Sequence, residues 1–138
     1  MPEGLAQLVA ELVQAWNAHD LDRVAALYAP EYEGEDVAEP TRLCGPLGIR
    51  EAAGRYLRAF PDLHLTVEHT VVEGSQAAIA WTVRGTHDGP LLRIPPTGRV
   101  VVVKGMSMLT ARDGRLTGGL YVWDVAGFLR AIGLLPEL

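Results

Sequence analysis

The hydrophobic positions in the first sixty residues recur at helical spacing. A first stripe at i, i+3, i+4, i+7, i+8 and i+11 is formed by Leu5, Leu8, Val9, Leu12, Val13 and Trp16. A second, shorter helix is predicted over residues 21–28, with Asp20 as its cap and Pro30 just beyond its end. A third stripe over residues 49–60 predicts a third helix, which Pro61 ends.

The pattern changes to the alternation of strands in the second half of the chain. After a short strand near residues 31–37, four strands are predicted over residues 63–74, 76–87, 98–111 and 114–124. Asp113–Gly114 is a strong hairpin signal between the last two of them. A final helix is predicted over residues 125–133.

This order of elements predicts an α+β fold, with helices on one face of a curved antiparallel sheet. Such a sheet, wrapped on the N-terminal helices, forms a cone-shaped α+β barrel with a pocket between the layers. Glycines lie within the strand patterns at positions 85, 105, 118 and 119, and they predict the bends or bulges that strong curvature needs. The length of 138 residues suits one domain over residues 1–138.

The composition narrows the classes of function. Lysine and arginine total 12 against 17 acidic residues, and the net charge of -5 argues against a nucleic-acid partner. The N-terminal stretch carries Glu3 and Glu11 without a basic residue, unlike a signal peptide, and no apolar run reaches membrane-spanning length. Cys44 is the only cysteine, which excludes an intrachain disulfide and suits a reducing compartment. We therefore expect a cytoplasmic protein without nucleic-acid or membrane partners.

The sequence offers no motif for a bound cofactor or metal. His64 and His69 are five residues apart in a predicted strand, so they face opposite ways, and no other ligand cluster accompanies them. The glycine-containing stretch 45–51 follows no strand and precedes no Lys-Ser or Lys-Thr pair, unlike a phosphate-binding loop. We expect neither a cofactor nor a metal.

Several stretches follow one another in an order that is typical of one family. They are FPDL (60–63), WTVRGTHDG (81–89), IPPTGR (94–99), DGRLTGG (113–119) and GFLRAIGLLP (127–136). Over nearly its whole length the chain resembles the SnoaL-like polyketide cyclases, which have the nuclear-transport-factor-2-like cone fold. The resemblance implies this fold, which hosts cyclases, isomerases, hydroxylases, epoxide hydrolases and non-catalytic binders.

The resemblance also assigns positions to the chemistry. In the aldol-type cyclases of the family, an aspartate on the last strand is the acid/base, and a histidine on the preceding strand helps to hold the enolate. Tyr121 stands at the position of that aspartate and Ser107 at the position of that histidine, whereas His87 matches the GTH motif. This acid-poor set favours a Michael-type or pericyclic ring closure over an aldol step.

If Tyr121 is taken to face inward, strand alternation predicts which other side chains line the pocket. His87, Ser107 and Tyr121 then form polar tips on an apolar wall, as in small-molecule sites. We expect Tyr121 to be a general acid or a donor to a developing oxyanion, the alternative being a packed aromatic residue. His87, with an ordinary pKa of about 6.5, is a candidate base, the alternative being a strand-end histidine bonded to the backbone.

Carboxylates and aromatic residues complete the predicted site. Glu35 or Asp36, at the mouth of the pocket, is a candidate for the missing base, the alternative being a solvated loop. Asp124 is expected to cap the final helix rather than to transfer protons. Candidates for an aromatic cage around the substrate, or else for the core, are Trp81, Trp123, Tyr56 and Phe60.

These features favour a cofactor-free cyclase of a polyketide-type or related intermediate, a small and hydrophobic substrate held in an apolar pocket. The alternatives are a SnoaL-like hydroxylase or epoxide hydrolase, and a non-catalytic binding or assembly module. The outer sheet face, with Val102, Met106 and Met108, is apolar enough to predict a homodimer.

Overall fold

The computed structural model describes residues 2–137 and has the predicted α+β architecture. In chain order, the elements are α1 (Pro2–Asn17), α2 (Leu21–Ala26), β1 (Tyr28–Asp36), β2 (Leu43–Cys44), α3 (Gly45–Ala59), β3 (His64–Glu73), β4 (Gln76–Thr86), β5 (Val100–Arg112), β6 (Arg115–Trp123) and α4 (Val125–Ala131). Periodicity therefore predicted the type of nearly every element correctly.

The strands form one curved, six-stranded sheet in the order β2-β1-β6-β5-β4-β3. Strands β3 to β6 make an antiparallel meander, as predicted, but β1 runs parallel to β6. The sheet is therefore mixed rather than wholly antiparallel. Parallel neighbours need a long connection, and here β2, α3 and strands β3 to β5 lie between the two strands in the chain.

Strand β1 begins earlier than the sequence pattern predicts. The second helix ends at Ala26, and Tyr28, which was predicted to be helical, pairs with Leu116 at the start of β1. The prediction for Tyr28 is wrong because pairing with β6 and burial of its ring, which is 3% exposed, outweigh the local helical spacing. Pro30, which lacks an N–H, lies in the irregular segment of this strand pair, where a ladder donor is not needed.

Most of the strand glycines leave room for an aromatic side chain that packs directly against the backbone. The bulges of the meander fall between Val67 and His69 and between Thr110 and Ala111, the latter beside Gly118. At Gly85, Gly105 and Gly119, where bends or bulges were also predicted, the strand pairing is regular. A Cβ at Gly105 would collide with the Trp81 ring, and a Cβ at Gly85 would lie 2.9 Å from the Phe60 Cβ.

The core lies between the helices and the concave face of the sheet, in two clusters. One joins α1, α2 and α3 to strands across the sheet, from Tyr32 of β1 to Ile79 of β4, and the other surrounds Phe60, Phe128 and Val101. Trp16 of α1 packs against both clusters. A cavity remains at the boundary between them.

No helix between residues 2 and 137 is both long enough and apolar enough to cross a membrane.

Candidate functional site

The cavity has a volume of about 160 Å³ and lies between the helices and the concave sheet face. Its wall is mostly aliphatic and aromatic. Seven of the nine residues predicted for the site line it, namely Tyr121, Ser107, Asp36, Trp81, Trp123, Tyr56 and Phe60. Trp16, expected in the core, lines it as well.

Three polar side chains of the wall form one row across the sheet. Asp36 on β1 is the register partner of Tyr121 on β6, and Tyr121 is in turn the partner of Ser107 on β5. Because neighbouring strands lie about 4.8 Å apart, the residues that carry a carboxylate, a phenol and a hydroxyl are neighbours on the cavity side of the sheet, and the Tyr121 hydroxyl extends over Gly119. The sequence pattern named all three residues and placed Ser107 and Tyr121 on one wall, but it did not place Asp36 beside them, because that depends on the parallel pairing of β1 and β6.

Asp36 provides the carboxylate of this row. It is 5% exposed, whereas Glu35 faces solvent, because side chains alternate along β1. Its Oδ2 accepts a hydrogen bond from the Tyr56 hydroxyl at 2.5 Å, and its Oδ1 accepts from Trp123 Nε1 at 3.1 Å and from the Ala38 amide at 2.9 Å. Among the described residues that line the cavity, Asp36 is the only one with a carboxylate.

The donors to Asp36 hold the carboxylate in one orientation. Burial, the hydrogen bond to Asp36 and the charges of Asp36 and Glu39 all raise the pKa of Tyr56 far above its ordinary value. Tyr56 therefore stays protonated and remains a donor at any physiological pH. The Trp123 indole is fixed by the same carboxylate and contacts the Tyr56 ring edge to face.

Tyr121 belongs to a cluster of buried phenols. Its hydroxyl shares a hydrogen bond of 2.7 Å with the hydroxyl of Tyr32, which lies behind the cavity wall and is 1% exposed. Burial and the neighbouring phenols of Tyr28 and Tyr32 raise the pKa of Tyr121 well above its ordinary value, and burial raises that of Tyr32 to about 12. Tyr121 is therefore a neutral donor at physiological pH and not a base.

Two facing glycines make room for these phenols. Gly34 on β1 and Gly119 on β6 are register partners. A Cβ at Gly34 would collide with the Tyr32 hydroxyl, and a Cβ at Gly119 would lie 2.6 Å from the Tyr121 hydroxyl. The hydrogen-bonded pair of phenols thus lies directly on the backbone of two adjacent strands.

Ser107 ends the polar row on β5. Its Oγ accepts a hydrogen bond from Trp81 Nε1 at 2.9 Å, which leaves its own hydroxyl proton available to a ligand. The bond also orients the Trp81 indole, which rests against the backbone at Gly105.

His87 lies outside the cavity wall, so the expectation that it faces the substrate is not met. It is fully buried among the rings of Phe60 and Phe128, with centroid distances of 5.9 and 5.3 Å. His87 is buried on the same side as Gly85, as alternation predicts, but its ring packs against Phe60 and Phe128 in the core and does not line the cavity. Burial lowers the pKa of His87, and its Nε2 has no hydrogen-bond partner among residues 2–137.

The contacts of His87 join the GTH and PPTG motifs. Its Nδ1 lies 3.0 Å from Thr97 Oγ1, its amide donates to the Arg99 carbonyl, and its carbonyl accepts from the amides of Thr97 and Gly98. The loop between these motifs carries Leu91, which lines the cavity. His87 therefore anchors the loop that closes one side of the site.

Asp124 caps α4, as predicted. Its Oδ1 accepts a hydrogen bond from the Gly127 amide at 2.8 Å. The carboxylate is thus committed to the first free amides of the helix.

The described part of the chain, residues 2–137, has no group of three or more histidine, cysteine, aspartate or glutamate side chains that is placed to hold a metal ion.

Comparison with known proteins agrees with this architecture. Residues 6–132 match the family model of the SnoaL-like polyketide cyclases. The chain is 30% identical to TsrD from Streptomyces laurentii, with 98% of each chain covered and a TM-score of 0.88. It is 29% identical to AclR, a candidate hydroxylase from Streptomyces galilaeus, with 100% of this chain and 89% of that chain covered and a TM-score of 0.86. For IdmH, a candidate polyketide cyclase from Streptomyces antibioticus, the identity is 27%, the coverage 93% and 97%, and the TM-score 0.80. The chain belongs to the SnoaL-like polyketide cyclase family.

Proposed function

We propose that this protein is a cofactor-free cyclase that closes a ring on a polyketide-type or related intermediate. The observation that carries the proposal is the polar row of Asp36, Tyr121 and Ser107 across an otherwise apolar cavity. A carboxylate beside a neutral phenol is suited to moving a proton at a carbon next to a carbonyl group. The similarity to IdmH, a candidate polyketide cyclase, supports this reaction class.

In the proposed mechanism, Asp36 is the general base. An ionised carboxylate offers about four lone-pair sites, and the bonds from Tyr56, Trp123 and Ala38 occupy three of them. One site therefore remains for the proton of an activated C–H bond. A base positioned in this way typically contributes about 10²- to 10⁴-fold to the rate.

Tyr121 and Ser107 are the donors to the oxygen that becomes negative. When the C–H proton passes to Asp36, the electron pair moves into an enolate, whose oxygen accepts a hydrogen bond from a neutral hydroxyl. The enolate carbon then attacks an electrophilic carbon of the same molecule, and the proton on Asp36 returns to the product. The closely packed wall adds to the rate by holding the two reacting ends together.

Proton exchange at a simple ketone tests the base without the natural substrate. Phenylacetone and 2-naphthylacetone are incubated with the protein in D₂O, and loss of the α-proton signal is followed by NMR. Asp36→Asn should lower the enzymatic exchange rate by about 100-fold or more, and Tyr121→Phe by about 100-fold. Glu35→Gln is the matched control, because this neighbouring acid faces solvent and its loss should leave the rate unchanged.

Full exchange activity in Asp36→Asn would overturn the assignment of the base. Full activity in Tyr121→Phe would show that the phenol has only a packing role.

Hydroxylation is a second candidate, supported by the similarity to AclR. Opening of an epoxide requires an acid and a base around a water molecule, and the row supplies Asp36 and Tyr121. Oxygen from labelled water or dioxygen in the product would identify this class, and its absence with a new ring would identify a cyclase. Ligand binding without turnover of either kind would identify the binding-module alternative.

The proposal includes the cellular location and the oligomeric state of the enzyme. The single cysteine suits the reducing cytoplasm, and we expect the chain to act there as a homodimer that is formed through the outer sheet face.

A further inference from the structure

We infer that the site takes a compound with a single ring and short substituents, carrying an oxygen on or next to the ring, rather than a polycyclic polyketide. The inference rests on the proposed function of this cavity and narrows its substrate class. Its starting point is the volume of about 160 Å³. A cavity of about 150 Å³ lined by Leu, Ile and Phe holds benzene, so a cavity of this size is filled by one ring.

The sheet side of the cavity cannot recede to admit a larger ligand. The Trp81 indole already rests on the backbone at Gly105 and is held by its hydrogen bond to Ser107. Phe60 packs in the same way onto Gly85, where a Cβ would lie 2.9 Å from its own Cβ. Neither ring can move deeper into the sheet to enlarge the cavity.

The helix side is equally fixed. Tyr56 of α3 is bonded to Asp36, and that carboxylate also holds Trp123. Ala52 of the same helix is 7% exposed and lines the cavity with a methyl group, so the helix backbone itself is close to the ligand space. Opposing walls that are both anchored set an upper limit on the thickness of the part of a ligand that enters the cavity.

The position of the polar row defines where the oxygen belongs. Asp36, Tyr121 and Ser107 lie on adjacent strands, whereas the rest of the wall is almost wholly apolar. A carbonyl oxygen of the ligand can accept the free hydroxyl proton of Ser107, and a hydroxyl can donate to the remaining lone pair of Asp36, so an oxygen placed against this row is favoured. A phenol, an aryl ketone or a cyclic enone meets this requirement.

Ketones with the same acetyl group on one, two and three rings provide the test. Acetophenone, 1-acetylnaphthalene and 9-acetylanthracene are titrated into the protein while tryptophan fluorescence is recorded. All three tryptophans of the chain line the cavity, so ligand entry should quench their emission. Acetophenone should bind saturably, and the three-ring ketone should bind weaker by about tenfold or more, because overfilling a packed interior is unfavourable.

This order is the reverse of the one that hydrophobicity alone would give, so affinity that rises with the number of rings would overturn the inference. A substitution that fills the cavity provides a second test of ligand entry. Ala52→Leu should abolish quenching by acetophenone, whereas Glu51→Leu, the same new side chain on the exposed face of α3, should leave it unchanged. If Ala52→Leu does not fold by circular dichroism, the ring series on the unaltered protein decides.

Different results would contradict the proposed cyclase chemistry and the proposed limit on ligand size. Selective binding of the one-ring ketone without α-proton exchange of phenylacetone would support the size limit and contradict the cyclase chemistry. Exchange of 2-naphthylacetone that is faster than that of phenylacetone would support the chemistry and contradict the size limit.

Discussion

At the residue scale, His87 shows that burial decides what a histidine can do. An unperturbed histidine has a pKa of about 6.5 and changes its charge near neutral pH, but His87 is fully buried, and among residues 2–137 only Thr97 bonds to its ring, at Nδ1. Burial lowers its pKa, and this effect outweighs the opposing charge of Asp88. The residue is therefore neutral in the folded protein and serves to hold the loop rather than to transfer protons.

This neutrality predicts that the protein loses stability in mild acid. In the unfolded chain His87 binds a proton at about pH 6.5, but in the folded chain only at a lower pH, so between these values the unfolded state binds more protons. The free energy of unfolding should therefore fall as the pH decreases below about 6.5. Urea unfolding at about pH 7.5 and about pH 5 should show a smaller loss in His87→Gln than in the unaltered protein.

The control for this prediction is His69→Gln. His69 is exposed on β3, so its removal should leave the loss of stability unchanged. An equal loss in His87→Gln and in the unaltered protein would contradict the assigned role of burial.

At the scale of elements, the parallel pairing of β1 with β6 builds the polar part of the site. It places Asp36 next to Tyr121, and it brings Gly34 against Gly119 beneath the two bonded phenols. Each consequence depends on register, since a shift by one residue would turn Asp36 outward.

The glycine pair provides a test of this arrangement. Gly34→Ala places a methyl group against the Tyr32 phenol, whose ring is buried and cannot move away, so we expect a loss of about 1–3 kcal/mol in the free energy of unfolding. Gly118→Ala is the matched control, because there a Cβ meets only ordinary contacts, 3.5 Å from the Thr110 Cβ. Equal stability of the two variants in urea unfolding would contradict the packed arrangement of the phenols.

Local sequence patterns predicted the helices and strands better than they predicted which strands pair in the sheet. Spacing along the chain fixes the apolar stripe of α1 and the alternation of β3 to β6, and the Asp124 cap follows from its place before a helix. Nothing local indicates that β1 pairs with β6, so the adjacency of Asp36 and Tyr121 was not predictable. The place of His87 in the core was missed because alternation gives the face of the sheet on which a side chain lies, but not whether that side chain lines the cavity or packs against other rings.

At the scale of the whole molecule, the two faces of the sheet differ in what covers them. The concave face is covered by helices and encloses the cavity. The outer face has no cover among residues 2–137, although it carries large exposed apolar side chains on β5 and β6, namely Val100, Val102, Met106, Met108, Leu120 and Val122. Monomers rarely leave contiguous apolar patches of this kind in water.

The outer face therefore predicts a homodimer, in which the same patch of each chain meets its copy about a twofold axis. Light scattering at micromolar concentration should give twice the mass of the chain. Met106→Glu combined with Met108→Glu should give the monomer mass, because burial of two unpaired charges opposes association. Leu47→Glu, on α3, replaces an exposed apolar residue away from the outer sheet face and should leave the dimer intact. Acetophenone binding should survive in both variants, since none of the three substituted residues lines the cavity, and this shows that a monomer is still folded. A monomer mass for the unaltered protein would contradict the prediction.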